Sequence, residues 1–258
     1  MQFKLLQLNT LHGGEIFDPM MQFLQAQQAD VMHLQEVFSN EQGFEFPSHP
    51  NYSLFESIQK NFRYPYANFY HKSDWEVEPG KILKFGNATF SRFEIQNFHS
   101  VEVPGFEHRD HTFYANRQPL DYSDAPYGFI ASEIKIGDKT VKSINIHGVW
   151  GQDGSDNPRR LLMRDLILKE IEHDEYVICS GDFNTTPETQ TMLGLETKLV
   201  NVFKNELKTT FNGKRWKMPD PTFVVDFLFV TPNIKVVEHS MPDADVSDHM
   251  PLVATLEI

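Results

Sequence analysis

The residues best suited to chemistry lie in the stretch Tyr176–Asn184, which reads YVICSGDFN. Its apolar half predicts a buried strand, and the C-terminal mouth of such a strand is where α/β sheets place ligands. Asp182 and Asn184 then follow Gly181, and on an extended backbone two positions apart they point the same way. Such a carboxylate and carboxamide suit a metal-bound water or a phosphate oxygen. The same residues are also typical of a structural turn capped by Asp and Asn.

Other predicted strands carry or end in polar residues of the same kind. The full set is Asn9, Glu36, His147, Asp182, Asn184, Asp226, Asp248 and His249. One buried Asp or His is more often a hydrogen-bonded structural residue than a ligand. Three carboxylates, Glu36, Asp182 and Asp248, would repel one another in a partly buried site unless a cation offset their charge. The oxygen-rich set favours Mg²⁺ or Mn²⁺, and it lacks the thiolates or clustered histidines of a zinc site.

Hydrophobic periodicity predicts the elements that position these residues. The predicted strands are 3–9, 31–36, 66–70, 85–92, 127–136, 139–149, 176–180, 223–230, 235–239 and 252–256, and predicted helices begin near residues 18, 52, 158 and 187. Gly137-Asp138 predicts a two-residue type II′ hairpin turn. The segment 99–126 has no clear period and holds three prolines, and loops of that length are usually functional. With no linker or repeat, we expect one domain over residues 1–258.

Composition restricts the class of protein. The 258 residues are 40% hydrophobic and 23% charged, as in an ordinary globular domain. No apolar run is long enough to cross a bilayer, and the first residues lack the features of a signal peptide. The single Cys179 excludes an internal disulfide, so we expect a cytoplasmic protein. We also expect a monomer. The net charge of −13 disfavours sequence-blind binding to long nucleic acid but leaves room for a local basic groove.

The motifs and their order resemble the endonuclease/exonuclease/phosphatase superfamily over the whole chain. The matching words are LNT at 8–10, LQE at 34–36, GNATFSR at 86–92, NIHG at 145–148, GDFN at 181–184, VVDFLFV at 224–230 and SDHMPL at 247–252. The resemblance implies an α/β fold of the deoxyribonuclease I type, a four-layer αββα sandwich of two packed mixed β-sheets with the site at one rim.

The same resemblance implies roles for the polar residues around a metal. Glu36 would be the principal metal ligand, helped by Asn9 and Asp248. Asp182 and Asn184 would position the attacking water and a phosphate oxygen. The ion would be Mg²⁺, with Mn²⁺ as a substitute.

Three further residues would handle charge and protons. His249 would act as general base or as a charged stabiliser of the phosphorane, and Asp226 would hold its imidazole. His147 would hydrogen-bond the phosphate. The chain departs from the family pattern at Leu11, where many nuclease members carry Asp, and this leaves the number of metals open.

Several accessory residues are candidates for substrate binding: Trp150, Arg109, Lys214, Arg215 and Trp216. The segment 214–217 mixes charge with an aromatic side chain, as in phosphate-backbone and base contacts, although an exposed basic turn has the same composition. Residues 107–111 predict a solvated loop or substrate-facing rim rather than a second metal site. Arg159, Arg160 and Arg164 are predicted on a solvated helix face.

The leading hypothesis is a Mg²⁺-dependent hydrolase of a phosphodiester bond in nucleic acid or a nucleotide-derived substrate. A second hypothesis changes the substrate to a phospholipid, an inositol phosphate or another small phosphoester, which the acidic composition favours. A third is a binding module that kept the fold and lost the chemistry, and the completeness of the eight-residue set argues against it.

Overall fold

Two six-stranded mixed sheets face each other in the computed structural model, which describes residues 1–107, 109, 113–114, 116–118, 121–215 and 223–258. The strands of the first sheet are β1 (Gln2–Asn9), β2 (Val31–Ser39), β3 (Tyr66–Glu78), β4 (Lys81–Ser91), β11 (Lys235–Ser240) and β12 (Leu252–Glu257). Those of the second sheet are β5 (Ile95–Glu102), β6 (Gly128–Ile136), β7 (Lys139–His147), β8 (Val177–Asp182), β9 (Val200–Asn201) and β10 (Asp226–Val230).

The strand orders place the motif-bearing strands at the middle of each sheet. The first sheet runs β11-β12-β1-β2-β4-β3 and the second runs β5-β6-β7-β8-β10-β9. The neighbours β1 and β2 are parallel, as are β7 and β8, and the remaining pairs are antiparallel.

Helices cover the outer faces of the two sheets. The helices of the described residues are α1 (Phe17–Gln27), α2 (Leu54–Phe62), α3 (Pro158–Glu170) and α4 (Gln190–Leu195), with a 3₁₀ helix at Pro50–Ser53. Buried residues of α1 and α2 pack against the first sheet, and those of α3 and α4 pack against the second. The predicted four-layer sandwich is therefore confirmed. No helix in the described part of the chain has the length and apolar character needed to cross a membrane.

The space between the sheets changes character along β1. Phe3 and Leu5 belong to an apolar cluster that includes Ile178 and Leu228 of the second sheet. Alternate residues of a strand face the same side, so Gln7 and Asn9 continue this row, and both are buried. The inter-sheet layer thus becomes polar toward the rim where β1 ends, and that rim holds the candidate site.

Two predictions about elements need correction and one is confirmed. The sequence indicated no element in 99–126, but β5 extends to Glu102. It was missed because it is an edge strand with mostly exposed residues and shows no alternation of apolar and polar residues. The two-residue β9 was also missed. The β6–β7 hairpin is as predicted: Gly137 has φ +61° and Asp138 has no positive φ, as a type II′ turn requires.

Candidate active site

The ends of the central strands bring the polar set together at one rim. Asp182 is the register partner of His147 on the parallel neighbour and of Asp226 on the antiparallel neighbour. Across the sheets, Asn9 Nδ2 donates to Asp182 Oδ2 at 3.1 Å and to Glu36 Oε1 at 3.2 Å. The Asn9 amide therefore links the carboxylates of the two sheets.

Glu36 owes its position to a β-bulge. The β2–β4 register shifts between Leu34 and Val37, and Glu36 adopts a left-handed φ of +58°. A bulge re-aims the side chain of its extra residue. Glu36 Oε2 accepts the backbone N–H of His12 at 3.0 Å. Burial acts to raise the pKa of Glu36, but the charge of His12 and this hydrogen bond outweigh it and lower the pKa to about 2.

Asp182 and Asn184 meet through a turn rather than along a strand. The strand ends at Asp182, and Asn184 has φ +54°. The expectation that both project from one extended face is therefore wrong. Asp182 Oδ1 instead accepts the backbone N–H of Asn184 at 2.8 Å, while Asn184 Nδ2 donates to Gly148 O at 3.1 Å. The two interpretations of this stretch, a capped turn and a cluster of polar groups, are therefore both correct. Burial raises the pKa of the Asp182 carboxyl.

His249 and Asp226 form a buried ion pair. His249 Nδ1 lies 2.7 Å from Asp226 Oδ2, and Nε2 lies 3.9 Å from Asp182 Oδ2. The ring packs edge-on against Phe211 at 5.0 Å. Burial acts to lower the pKa of His249, but the charges of Asp226 and Asp182 raise it well above its usual value. The geometry therefore favours the imidazolium, whose Nε2 lies on the side of Asp182.

A chain of buried amides fixes Asp226 as an acceptor. Asn145 Nδ2 donates to the backbone carbonyl of Ala88 at 2.8 Å, so its Oδ1 is left to accept Gln35 Nε2 at 2.8 Å. Gln35 Oε1 accepts Gln7 Nε2 at 3.0 Å, and the same nitrogen donates to Asp226 Oδ1 at 2.9 Å. Each amide in this relay is oriented by the one before it. A backbone carbonyl of the first sheet thus sets the polarity of the ion pair.

His147 is neutral and sits close to Asp182. Its Nε2 lies 3.8 Å from Asp182 Oδ2, and its ring packs edge-on against Tyr127 at 5.3 Å. Within the described residues, its buried Nδ1 has no hydrogen-bond partner. Burial lowers the pKa of His147 well below its usual value, so the neutral ring presents a single donor.

Lys72 is a residue that sequence reasoning missed. Its side chain is 8% exposed and its Nζ lies 4.0 Å from the centre of the Tyr127 ring. Burial lowers its pKa to about 8, while Glu36 and Asp182 act to raise it. Within the described residues it forms no ion pair. A buried cation without a carboxylate partner suits an anionic ligand. In the sequence Lys72 lies just beyond the strand predicted at 66–70 and belongs to none of the motifs.

The accessory residues have varied surroundings. Trp150 packs edge-on against Tyr122 at 5.8 Å and is partly buried. Arg109 is exposed and pairs with Glu107 at 2.6 Å. Lys214 and Arg215 pair with Asp243 at 3.2 Å and with Asp245 at 2.7 Å. These three cations are thus already engaged. Trp216 lies outside the described residues, as does most of the 107–111 motif.

Two arginines of α3 correct another expectation. Arg159 and Arg160 were predicted on a solvated face. Arg160 is 1% exposed and donates to the backbone carbonyls of Val149 at 2.9 Å and Gly151 at 3.3 Å. Arg159 donates to the carbonyls of Val103 and Pro104. They anchor the loops that begin at residues 103 and 149. Helical spacing does not predict the burial of these two guanidinium groups, because their partners are backbone oxygens, which any sequence provides.

The donor set fits a divalent cation beside Glu36. Atoms of Asp182, Asp226 and His249 lie within 4.8 Å of one another, but the imidazolium of His249 has no lone pair to offer a metal. Glu36 is ionised, and burial raises the pKa of Asp248. Ser247 Oγ donates to Asn9 O at 2.7 Å and lies 3.2 Å from Asp248 Oδ1, which ties this carboxylate to the end of β1. A cation held by oxygens would relieve the repulsion.

Comparison with known proteins supplies a family. The model of the endonuclease/exonuclease/phosphatase family matches residues 6–249. No curated protein sequence gives a significant match.

Solved structures of low sequence identity share the fold. A structure described as endonuclease/exonuclease/phosphatase from Beutenbergia cavernae is 16% identical with a TM-score of 0.73, over 100% of this chain and 72% of that one. A mannosyl-6-phosphatase from Bacteroides thetaiotaomicron is 16% identical with a TM-score of 0.67, over 99% and 100%. D. rerio TDP2 complexed with a single-strand DNA product is 13% identical with a TM-score of 0.67, over 100% and 99%.

Proposed function

The chain belongs to the endonuclease/exonuclease/phosphatase family, and we propose that it is a Mg²⁺- or Mn²⁺-dependent phosphodiesterase. Its substrate would be nucleic acid or a nucleotide-derived compound. The observation that carries the proposal is the buried Asp226–His249 ion pair, in which His249 Nε2 lies 3.9 Å from Asp182 Oδ2.

The residues around this ion pair divide the work of hydrolysis. The charged Nε2–H of His249 would stabilise a phosphoryl oxygen as negative charge develops on it. Asp182 and Asn184 would hold the attacking water, with the buried Asp182 carboxyl as the proton acceptor. His147 and Lys72 would bind the remaining phosphoryl oxygens.

A divalent cation fits on the other side of the same space. Glu36 would hold it with Asp248, and with Asn9 if its amide turned to present Oδ1. When bound, the ion supplies Lewis-acid stabilisation of charge on the phosphate and the leaving oxygen. The ionised state of Glu36, whose pKa is about 2, keeps this carboxylate ready for a cation over the whole working range of pH.

A diester of a nucleotide is the substrate class we favour. Among proteins of the same fold, TDP2 has been solved with a single-strand DNA product. The partly exposed ring of Trp150 suits a base. A small phosphoester is the second candidate, and the mannosyl-6-phosphatase of similar fold makes a sugar phosphate the form to test. The net charge of −13 supports a short substrate in either case.

A substrate panel tests both candidates. Wild type would be assayed with Mg²⁺ on single-stranded oligonucleotides, dinucleotides, lipid and inositol phosphodiesters, and sugar monophosphates, beside Glu36→Ala and His249→Ala. We expect turnover of nucleotide diesters that both variants lose. Activity that survives both substitutions would refute the mechanism, and turnover confined to monoesters would replace the first candidate by the second. An absence of turnover together with an absence of Mg²⁺ binding by calorimetry would support a binding module.

A further inference from the structure

A cleft of about 490 Å³ opens beside Glu36 and has no part in the roles given above. Residues 48–52 of the segment after β2 form one wall, and Trp75 of β3 forms another. His12 and Phe38 complete the part of the lining that bears on its chemistry. His12 lines the cleft and also lies next to Glu36.

Hydrogen bonds to Glu36 show on which side of the site the cleft lies. Glu36 Oε1 accepts Asn9 Nδ2, which also donates to Asp182. Glu36 Oε2 instead accepts His12 N at 3.0 Å and lies 3.7 Å from His12 Nε2. One oxygen of Glu36 therefore meets the Asn9 amide that bridges to Asp182, and the other meets His12, a residue of the cleft. A phosphate between Asp182 and Glu36 would direct the group opposite the attacking water toward the cleft.

The lining is largely aromatic. Phe38 packs edge-on against Tyr52 at 5.3 Å and against Trp75 at 5.2 Å. Tyr52 stacks on His49 at 4.9 Å with 9° between the ring planes, and Trp75 lies 5.3 Å from the ring of His12. His49 is exposed, and Tyr52 and Trp75 are partly exposed. The exposed parts of these rings provide a stacking surface for a flat group.

The charge of the lining limits what the cleft can bind. Among the described residues that line it, Glu15 is the one carboxylate, and there is no lysine or arginine. A second phosphate would meet no lysine or arginine there, and His12 is already next to the carboxylates of Glu15 and Glu36. Asn51 Nδ2 donates to His12 O at 2.9 Å, which leaves the amide oxygen of Asn51 as the acceptor end for a ligand N–H. An uncharged ring with its own N–H groups matches this combination.

We propose that this cleft holds the leaving group of the phosphodiester and that its ligand is a planar, uncharged heteroaromatic ring, a nucleobase. The inference rests on the proposed function, since it names the part of the diester that the site recognises. It also predicts a direction: the nucleoside in the cleft leaves as the alcohol, and the other nucleoside keeps the phosphate.

Dinucleoside phosphates that lack one base test this assignment. The product that retains the phosphate identifies the leaving nucleoside. We expect removal of the leaving nucleoside's base to lower kcat/KM by about 5- to 150-fold, the equivalent of about 1–3 kcal/mol of stacking, and removal of the other base to change it less than about threefold. His49→Ala and Tyr52→Leu should lose this preference, Tyr52→Phe should keep it, and Phe98→Ala, an exposed aromatic elsewhere, should behave as wild type.

The outcomes separate the cleft from the reaction. Equal turnover with and without the leaving base would overturn the cleft as a base site and leave the phosphodiesterase intact, with a sugar ring as the recognised group. If no diester is cleaved, the proposed function fails, and binding of adenosine decides about the cleft. Trp75→Phe identifies the part of the tryptophan fluorescence that comes from Trp75. Adenosine should quench that part in wild type, and Tyr52→Leu should abolish the quenching. No quenching in wild type would overturn the inference.

Discussion

Asp226→Asn tests how the ion pair is set by the amide relay. The substitution keeps the size of the side chain and removes its charge. In the wild type, Asp226 accepts from His249 Nδ1 at 2.7 Å through one oxygen and from Gln7 Nε2 at 2.9 Å through the other. Both partners are donors. A carboxylate satisfies both, whereas an amide has only one oxygen.

Two arrangements of the new amide exist, and each loses something. If its oxygen faces His249, its nitrogen meets Gln7 Nε2 as donor against donor, and an unmade buried hydrogen bond costs about 1–3 kcal/mol. If its nitrogen faces His249, Nδ1 must accept, so the ring is neutral and the charge at Nε2 is lost. Nε2–H then still donates but without its positive charge, so the loss should be smaller than the 10²–10³ in kcat that removal of a whole preorganised donor typically costs. We therefore expect kcat to fall by about 10- to 10²-fold.

A second substitution can restore the polarity. Adding Gln7→Glu to Asp226→Asn provides a carboxyl group that, when protonated, donates to Gln35 Oε1 and accepts the new amide nitrogen. The amide oxygen then faces His249 Nδ1–H again. We expect the double variant to recover about tenfold in kcat over Asp226→Asn, although Gln7→Glu alone should lower the activity of wild type.

Single-turnover kinetics with a saturating nucleotide diester measure these differences directly, and thermal unfolding checks that each variant folds. The reasoning fails if Asp226→Asn stays within about threefold of wild type. It fails in its second part if the double variant is no faster than Asp226→Asn, because the relay would then not determine the orientation of the amide.

Other substitutions test the metal, the substrate and the core. Glu36→Gln should lower the apparent affinity for Mg²⁺ in calorimetry at least about tenfold; unchanged affinity would exclude Glu36 as a ligand. Lys72→Met should raise KM for a diester about tenfold or more by removing a buried cation, and an effect confined to kcat would contradict that role. His33, buried between the hydroxyls of Ser143 and Ser180 at 2.7 Å each, has a pKa lowered by burial to about 3. The unfolded chain binds a proton here below about pH 6.5 that the folded chain does not, so this residue should lower the free energy of unfolding by about 2–3 kcal/mol between pH 8 and pH 4.5. In denaturant titrations His33→Gln should lack that part of the decrease, and parallel pH curves would show that His33 does not cause it.

The motif residues could be predicted because the end of an apolar run and the polar residues that follow it can be recognised in the sequence. Asp182 and His249 lie in short polar motifs beside apolar runs. The relay of Gln7, Gln35 and Asn145 could not, since a glutamine inside a strand reads as a solvent-facing residue. Only the stacking of two sheets turns those positions toward each other. Lys72 was missed because the groups around it, the Tyr127 ring among them, come from elsewhere in the chain.

Backbone strain is the other part that the sequence hides, and it explains why Glu36 points where it does. Left-handed backbone costs a non-glycine residue about 1–2 kcal/mol, yet Leu11, His12 and Glu36 all adopt it. The first two bring the N–H of His12 to Glu36 Oε2, and the third turns the carboxylate out of the sheet. Each strained residue thus contributes to one hydrogen-bonded arrangement. Relaxing Glu36 into regular β-structure would return its side chain to the pleat of β2 and remove the carboxylate from both Asn9 and the cleft. The strain is therefore located where an ordinary strand could not place a carboxylate at the proposed metal site, and this accounts for a bulge at the motif rather than elsewhere in β2.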